Sequence, residues 1–162
     1  MDRQVLIDTA VETAVEAQMT DDICSRSVLI GLQTFRHDIP EEMITASLSL
    51  AAGTGGASGS CGAYCAGLLG VGIVHNHPYY DEADNPGLQM DGIMKFTEYR
   101  NKFLSEMGSV MCPEIHEKLF GRSYIFTDPA QQEEFLSLDI HREKCAEVVA
   151  VATRIAAEMM LD

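Results

Sequence analysis

Residues 140–160 read IHREKCAEVVAVATRIAAEMM, and the period of this stretch decides the fold class. Cys145, Val148, Val149, Ala152, Ile155, Ala156 and Met159 fall at the spacing that sets residues on one face of an α-helix. The same 3.6-residue period recurs along the chain, whereas strand signals are scarce.

Working outward, a first helix is expected over 4–19, with Val5, Ala10, Val11, Val15 and Met19 inward. Asp21 or Asp22 can cap a second that carries Cys24, Val28, Leu32 and Phe35. Pro40 opens a third, with Glu41 and Glu42 at its positive end, running into the glycine-rich segment 53–59. Ser60 can cap a fourth, with Cys61, Cys65, Leu68, Leu69 and Gly72 on one face. Residues 75–87 read as a loop, 88–107 as a fifth helix ended by Gly108, and 113–119 as a short helix opened by Pro113. Residues 121–127 are the one candidate for extended structure, and Pro129 opens a helix ending near Leu138. The expected fold is all-α: one domain over residues 1–162, a compact bundle of about six to eight helices.

The composition narrows the function classes. The 162 residues are long enough to bury a core without disulfides. A formal charge of -14, with only 11 Lys and Arg, argues against a phosphate-binding surface, so no nucleic acid is expected. It suits docking to a basic partner instead. The longest uncharged apolar stretch, 65–74, is about half of a bilayer span, so no membrane crossing is expected. Asp2, Arg3, Asp8, Glu12 and Glu16 leave no hydrophobic signal core, which points to a cytoplasmic protein with reduced thiols.

The chain has five cysteines, an odd number that a pure disulfide framework would leave unbalanced. Taken singly, each also reads as a small core hydrophobe. Position is more telling. Cys24 lies in the first turn of its helix, Cys61 opens another, Cys112 precedes Pro113, and Cys145 sits about a turn further in. Free N–H groups at a helix start favour thiolate, the form that ligates metals and attacks disulfides. No C-x-x-C or ferredoxin-type run is present, so these cysteines can meet only through tertiary structure. Cys65 and His141 are secondary candidates: Cys65 is one turn from Cys61, and His141 one turn before Cys145. His75 and His77 form an H-x-H in an acidic loop, which usually means plain surface, and Arg26 stands near Cys24. The glycine run 53–59 lacks the Lys-Ser/Thr ending of a phosphate loop, and no hydrolase triad stands out.

Four segments together resemble a known family: Cys24-Ser25-Arg26-Ser27-Val28-Leu29; Gly53-Thr54-Gly55-Gly56 leading to Cys61-Gly62-Ala63; Met107 to Cys112; and Cys145 heading the last helix. They are similar to the C_GCAxxG_C_C group of redox-active proteins. That cysteine arrangement is shared with split-Soret cytochromes, where it is associated with an iron–sulfur cluster. One position departs, because Ala66 stands where the motif has glycine. No haem-attachment C-x-x-C-H exists, so cytochrome function does not carry over.

The resemblance implies that Cys24, Cys61, Cys112 and Cys145 gather around an iron–sulfur cluster, [2Fe-2S] favoured and [4Fe-4S] the alternative. Four thiolates suit either, and they equally suit zinc. The expected role is electron transfer with a redox partner protein, more an accessory redox protein than a stand-alone enzyme. Two alternatives stay open: a thiol–disulfide or metal-handling protein, and a helical subunit with a structural zinc. Self-association is compatible with the sequence.

Overall fold

In the computed structural model, which describes residues 2–162, helix follows helix. They are α1 (Arg3–Asp21), α2 (Cys24–Gln33), α3 (Glu41–Ala46), α4 (Ala51–Thr54), α5 (Gly62–His75), α6 (Tyr79–Asp84), α7 (Gln89–Met107), α8 (Cys112–Phe120), α9 (Pro129–Leu136) and α10 (His141–Met160). Seven of them have eight residues or more, in line with the expected bundle. Helix α10 is the centre and packs on α1, α2, α5 and α7. The inward face read from its sequence is the buried one: Val148, Val149, Ala152, Ile155, Ala156 and Met159 lie in the core.

Two faces differ from expectation, for one physical reason. In α1 the buried residues are Ile7, Ala10, Ala14 and Gln18, while Val5 is 49% exposed and Met19 39%. In α5 they include Ala63, Ala66, Gly67 and Gly70, while Leu69 faces outward and Cys65 is half-buried. Close helix packing selects the small residues over the valines and leucines. A Cβ on Gly31 of α2 would strike the Ala10 carbonyl oxygen and stand 2.7 Å from the Ala14 Cβ. Gly67 of α5 lies directly beneath the Tyr99 hydroxyl.

The connections differ too. Asp22 does not cap α2; it ends α1 in a left-handed conformation (φ 58°), and Ile23 precedes α2 without a side-chain cap. Residues 75–87 contain α6 and a turn of 3-10 helix rather than loop alone. Residues 121–127 form no strand. Among the described residues the β-type pairing is a single antiparallel bridge, Ser60 to Met111.

The glycine-rich segment carries the strongest backbone strain. Ala52, Gly53, Thr54, Gly55 and Gly56 follow one another with φ of 55°, 76°, 62°, 69° and 74°. This is a turn of left-handed helix, closed by the Gly55 N–H on the Ala51 carbonyl at 3.1 Å. For a residue with a Cβ, such as Ala52 or Thr54, that conformation costs about 1–2 kcal/mol. Strain of this kind persists where the surroundings over-determine it, and it clusters at functional sites.

Candidate functional site

Cys24, Cys61, Cys112 and Cys145 line one cavity of about 200 Å³, closed by apolar side chains that include Ile115, Phe126, Phe135 and Val148. Four helices deliver them. Cys24 is the first residue of α2, Cys61 the residue before α5, Cys112 the first of α8, and Cys145 lies a turn inside α10. The lone β-bridge sets two of them side by side. The Cys61 N–H donates to the Val110 carbonyl at 2.8 Å, and the Cys112 N–H to the Gly59 carbonyl at 2.9 Å. Gly62 lets α5 reach the first cysteine, since a Cβ there would lie 2.6 Å from the Leu50 oxygen and 2.8 Å from the Cys24 sulfur.

The strained turn has a purpose in this geometry. Backbone N–H groups of Ala52, Ser25 and Ala63 pull the Cys24 pKa down, and those of Tyr64 and Ala63 do so for Cys61. These donors favour thiolate, but burial outweighs them and raises the pKa of all four thiols. Cys61 and Cys145 are pushed furthest, with Cys24 and Cys112 nearby adding like charge. Burial, then Cys24, pushes Cys112 up to about 12. With no cation present the site therefore holds neutral thiols at neutral pH.

The secondary candidates lie elsewhere. Both His141 ring nitrogens are committed: Nδ1 to the Leu138 carbonyl at 2.7 Å, Nε2 to the Asp22 carboxylate at 2.8 Å. Gln18, almost wholly buried, donates to the other Asp22 oxygen at 2.9 Å. This polar chain ties the α1–α2 junction to the start of α10, and so holds Cys24 and Cys145 in relation. Cys65 is not among the cavity residues, and the Thr54 hydroxyl donates to the Ser60 carbonyl at 3.1 Å. His75 Nε2 meets the Met159 carbonyl at 2.8 Å, and His77 pairs with Asp91 on the surface. Arg26 pairs with Asp21 at 3.7 Å.

His116 is the cavity residue that sequence reasoning missed. It lines the cavity, 5% exposed, with Nε2 3.6 Å from the Cys112 sulfur. Burial pushes its pKa down to about 4. The available signal was the four-residue step from Cys112 to His116, which puts both on one helix face. Among the described residues, no three His, Cys, Asp or Glu side chains are gathered tightly enough to hold a single ion.

The cysteine ring is also where the chain meets known proteins. A family model described as "Putative redox-active protein (C_GCAxxG_C_C)" matches residues 23–159, which include all four cavity cysteines. The chain belongs to this family. Redox activity is thus the class of function that membership and the gathered thiols share. Ala66, which departs from the family glycine, is fully buried in the face where α5 packs closely, so the small size that matters there is kept. No curated protein and no solved structure gives a significant match to the chain. No helix among the described residues is long and apolar enough to cross a membrane.

Proposed function

We propose that Cys24, Cys61, Cys112 and Cys145 hold an iron–sulfur cluster, [2Fe-2S] favoured over [4Fe-4S], and that the protein exchanges electrons with a partner enzyme. The observation that carries this reading is the convergence of four thiols from four helices on one apolar cavity. Four cysteine sulfurs complete the ligand set of either cluster. Peptide N–H groups at Cys24 and Cys61 suit sulfurs that share a cluster's negative charge. When bound, the cluster supplies one-electron exchange.

The thiol–disulfide reading is less well supported. A thiol–disulfide catalyst needs a thiol of depressed pKa. Here burial raises all five, Cys65 included. Raised thiols still suit a metal, because a coordinated cation removes the proton outright. Four thiolates suit zinc as well as a cluster, so metal analysis separates these two readings. A net charge of -14 suits docking to a basic surface on the partner.

Anaerobic reconstitution with ferrous iron and sulfide, then metal analysis with visible and EPR spectroscopy, tests the reading. The expected product is coloured, carries iron and sulfide in equal amounts, and gives an EPR signal on reduction. Replacing any of the four cysteines by serine lowers the iron content, whereas Cys65→Ser leaves it unchanged. Colourless protein without iron sinks the proposal, and tight zinc with no redox signal favours the structural-zinc alternative. Electron transfer to the partner is expected to slow as salt rises, because screening weakens charged docking.

A further inference from the structure

The four cavity sulfurs are not equally supplied with hydrogen bonds. Backbone N–H groups favour the thiolate at Cys24 and Cys61, whereas none does so at Cys112 or Cys145. The Cys112 peptide N–H is spent on the Gly59 carbonyl, and among the described residues its sulfur has one hydrogen-bond partner, His116 Nε2 at 3.6 Å. That contact is held in place from every side. The His116 ring stacks on Phe135 (centroids 4.9 Å apart, planes 10° from parallel), and the edges or faces of Phe120, Tyr124 and Phe126 surround it.

His116 Nδ1 is buried and finds no partner among the described residues. A buried ring nitrogen without a partner needs an explanation. A neutral imidazole carries one proton. On Nδ1 that proton would have no acceptor among the described residues, and a buried donor left unpaired is costly. On Nε2 it faces a sulfur. The cage leaves one useful orientation and one useful tautomer.

We infer that His116 is a positioning residue that donates its Nε2–H to the Cys112 sulfur. The inference rests on the reading of the four cysteines as cluster ligands. A hydrogen bond to a ligating sulfur withdraws electron density and raises the reduction potential. His116 therefore holds the potential above the value that the cysteines and cavity alone would set.

The test compares reconstituted wild type with His116→Phe, which fills the cage without a donor, and His116→Gln, which keeps one. Iron and sulfide content, midpoint potential and pulsed EPR are read for each. The expected result is unchanged iron content, a midpoint shifted negative in His116→Phe, and a smaller negative shift in His116→Gln. In the reduced wild type, a weakly coupled, deuterium-exchangeable proton is expected, lost in His116→Phe. A midpoint unmoved in both variants, with iron retained, overturns the inference and leaves the cluster reading standing. A strongly coupled nitrogen in the wild type, the mark of histidine bound directly to iron, overturns it as well. If both variants fail to fold, the wild-type proton signal decides alone, and its absence counts against the hydrogen bond. Wild type that takes up no iron removes the cluster reading and the inference with it.

Discussion

Gly62 is where α5 comes nearest to the first cysteine, and nothing larger fits there. A Cβ would press on the Leu50 carbonyl oxygen, which is backbone and cannot swing aside, and on the Cys24 sulfur. Gly62→Ala is expected to cost about 1–3 kcal/mol by overpacking and to lower iron uptake, read from urea unfolding of the metal-free protein and iron content after reconstitution. Gly67→Ala supplies the comparison. Its Cβ would collide with the Tyr99 hydroxyl, away from the cavity, so stability should fall while iron uptake persists in the folded fraction. Equal loss of uptake in both variants would show that Gly62 acts only through stability. At Ala52, held at φ 55°, glycine removes a strained Cβ. Ala52→Gly should raise the unfolding free energy by roughly 0.5–1 kcal/mol, the left-handed penalty less the entropy cost of glycine. The N–H to Cys24 is kept.

At the scale of elements, the bundle is assembled on small-residue seams. Helix α1 meets α2 where Ala10 and Ala14 face Gly31. Gly31→Ala must push the two helices apart and should lower the unfolding free energy, read from urea titration, by about 1–3 kcal/mol. Val5→Ser, on the half-exposed side of α1, should stay within about 0.5 kcal/mol of wild type. The opposite ranking would restore the valine face as the buried one. This seam also explains where the sequence misled. Hydrophobicity favours Val5, Met19 and Leu69 as inward residues, but the distance between two helix axes depends on both partners at once. Glycine and alanine look neutral in one sequence and become decisive only against a neighbour. The helix start at Cys112 was legible from Pro113; those at Cys24 and Cys61 were legible from the helical period, although no side chain caps either helix.

For the whole molecule, burial of titratable groups sets a window of stability in the metal-free state. Burial depresses the folded pKa of His116 to about 4, below the usual 6.5. The unfolded chain then takes up the proton first, and stability falls as pH drops below about 6.5. The buried thiols act at the other end, because their folded pKa values lie above the usual 9.0. Their contribution is complete below pH 9 and is lost as pH rises from there towards 12, where the unfolded chain releases protons that the folded one keeps. Thermal unfolding of the metal-free protein should show a plateau between about pH 6.5 and 9, falling on both sides. A midpoint that keeps rising above pH 9 would contradict the burial of the thiols.

The sequence by itself determined the all-helical class, the central helix with its inward face, and the cysteines that begin helices. Each is a matter of period or of local backbone chemistry, which neighbouring residues settle among themselves. Only the tertiary structure decided that Cys24, Cys61, Cys112 and Cys145 share one cavity while Cys65, one turn from Cys61, stays outside it. It also turned His141 to Asp22. Those outcomes depend on residues up to 119 positions apart in the chain, and on a left-handed turn whose strain is tolerable only when packed. Contacts of that range follow from how helices fit together, which no local pattern records.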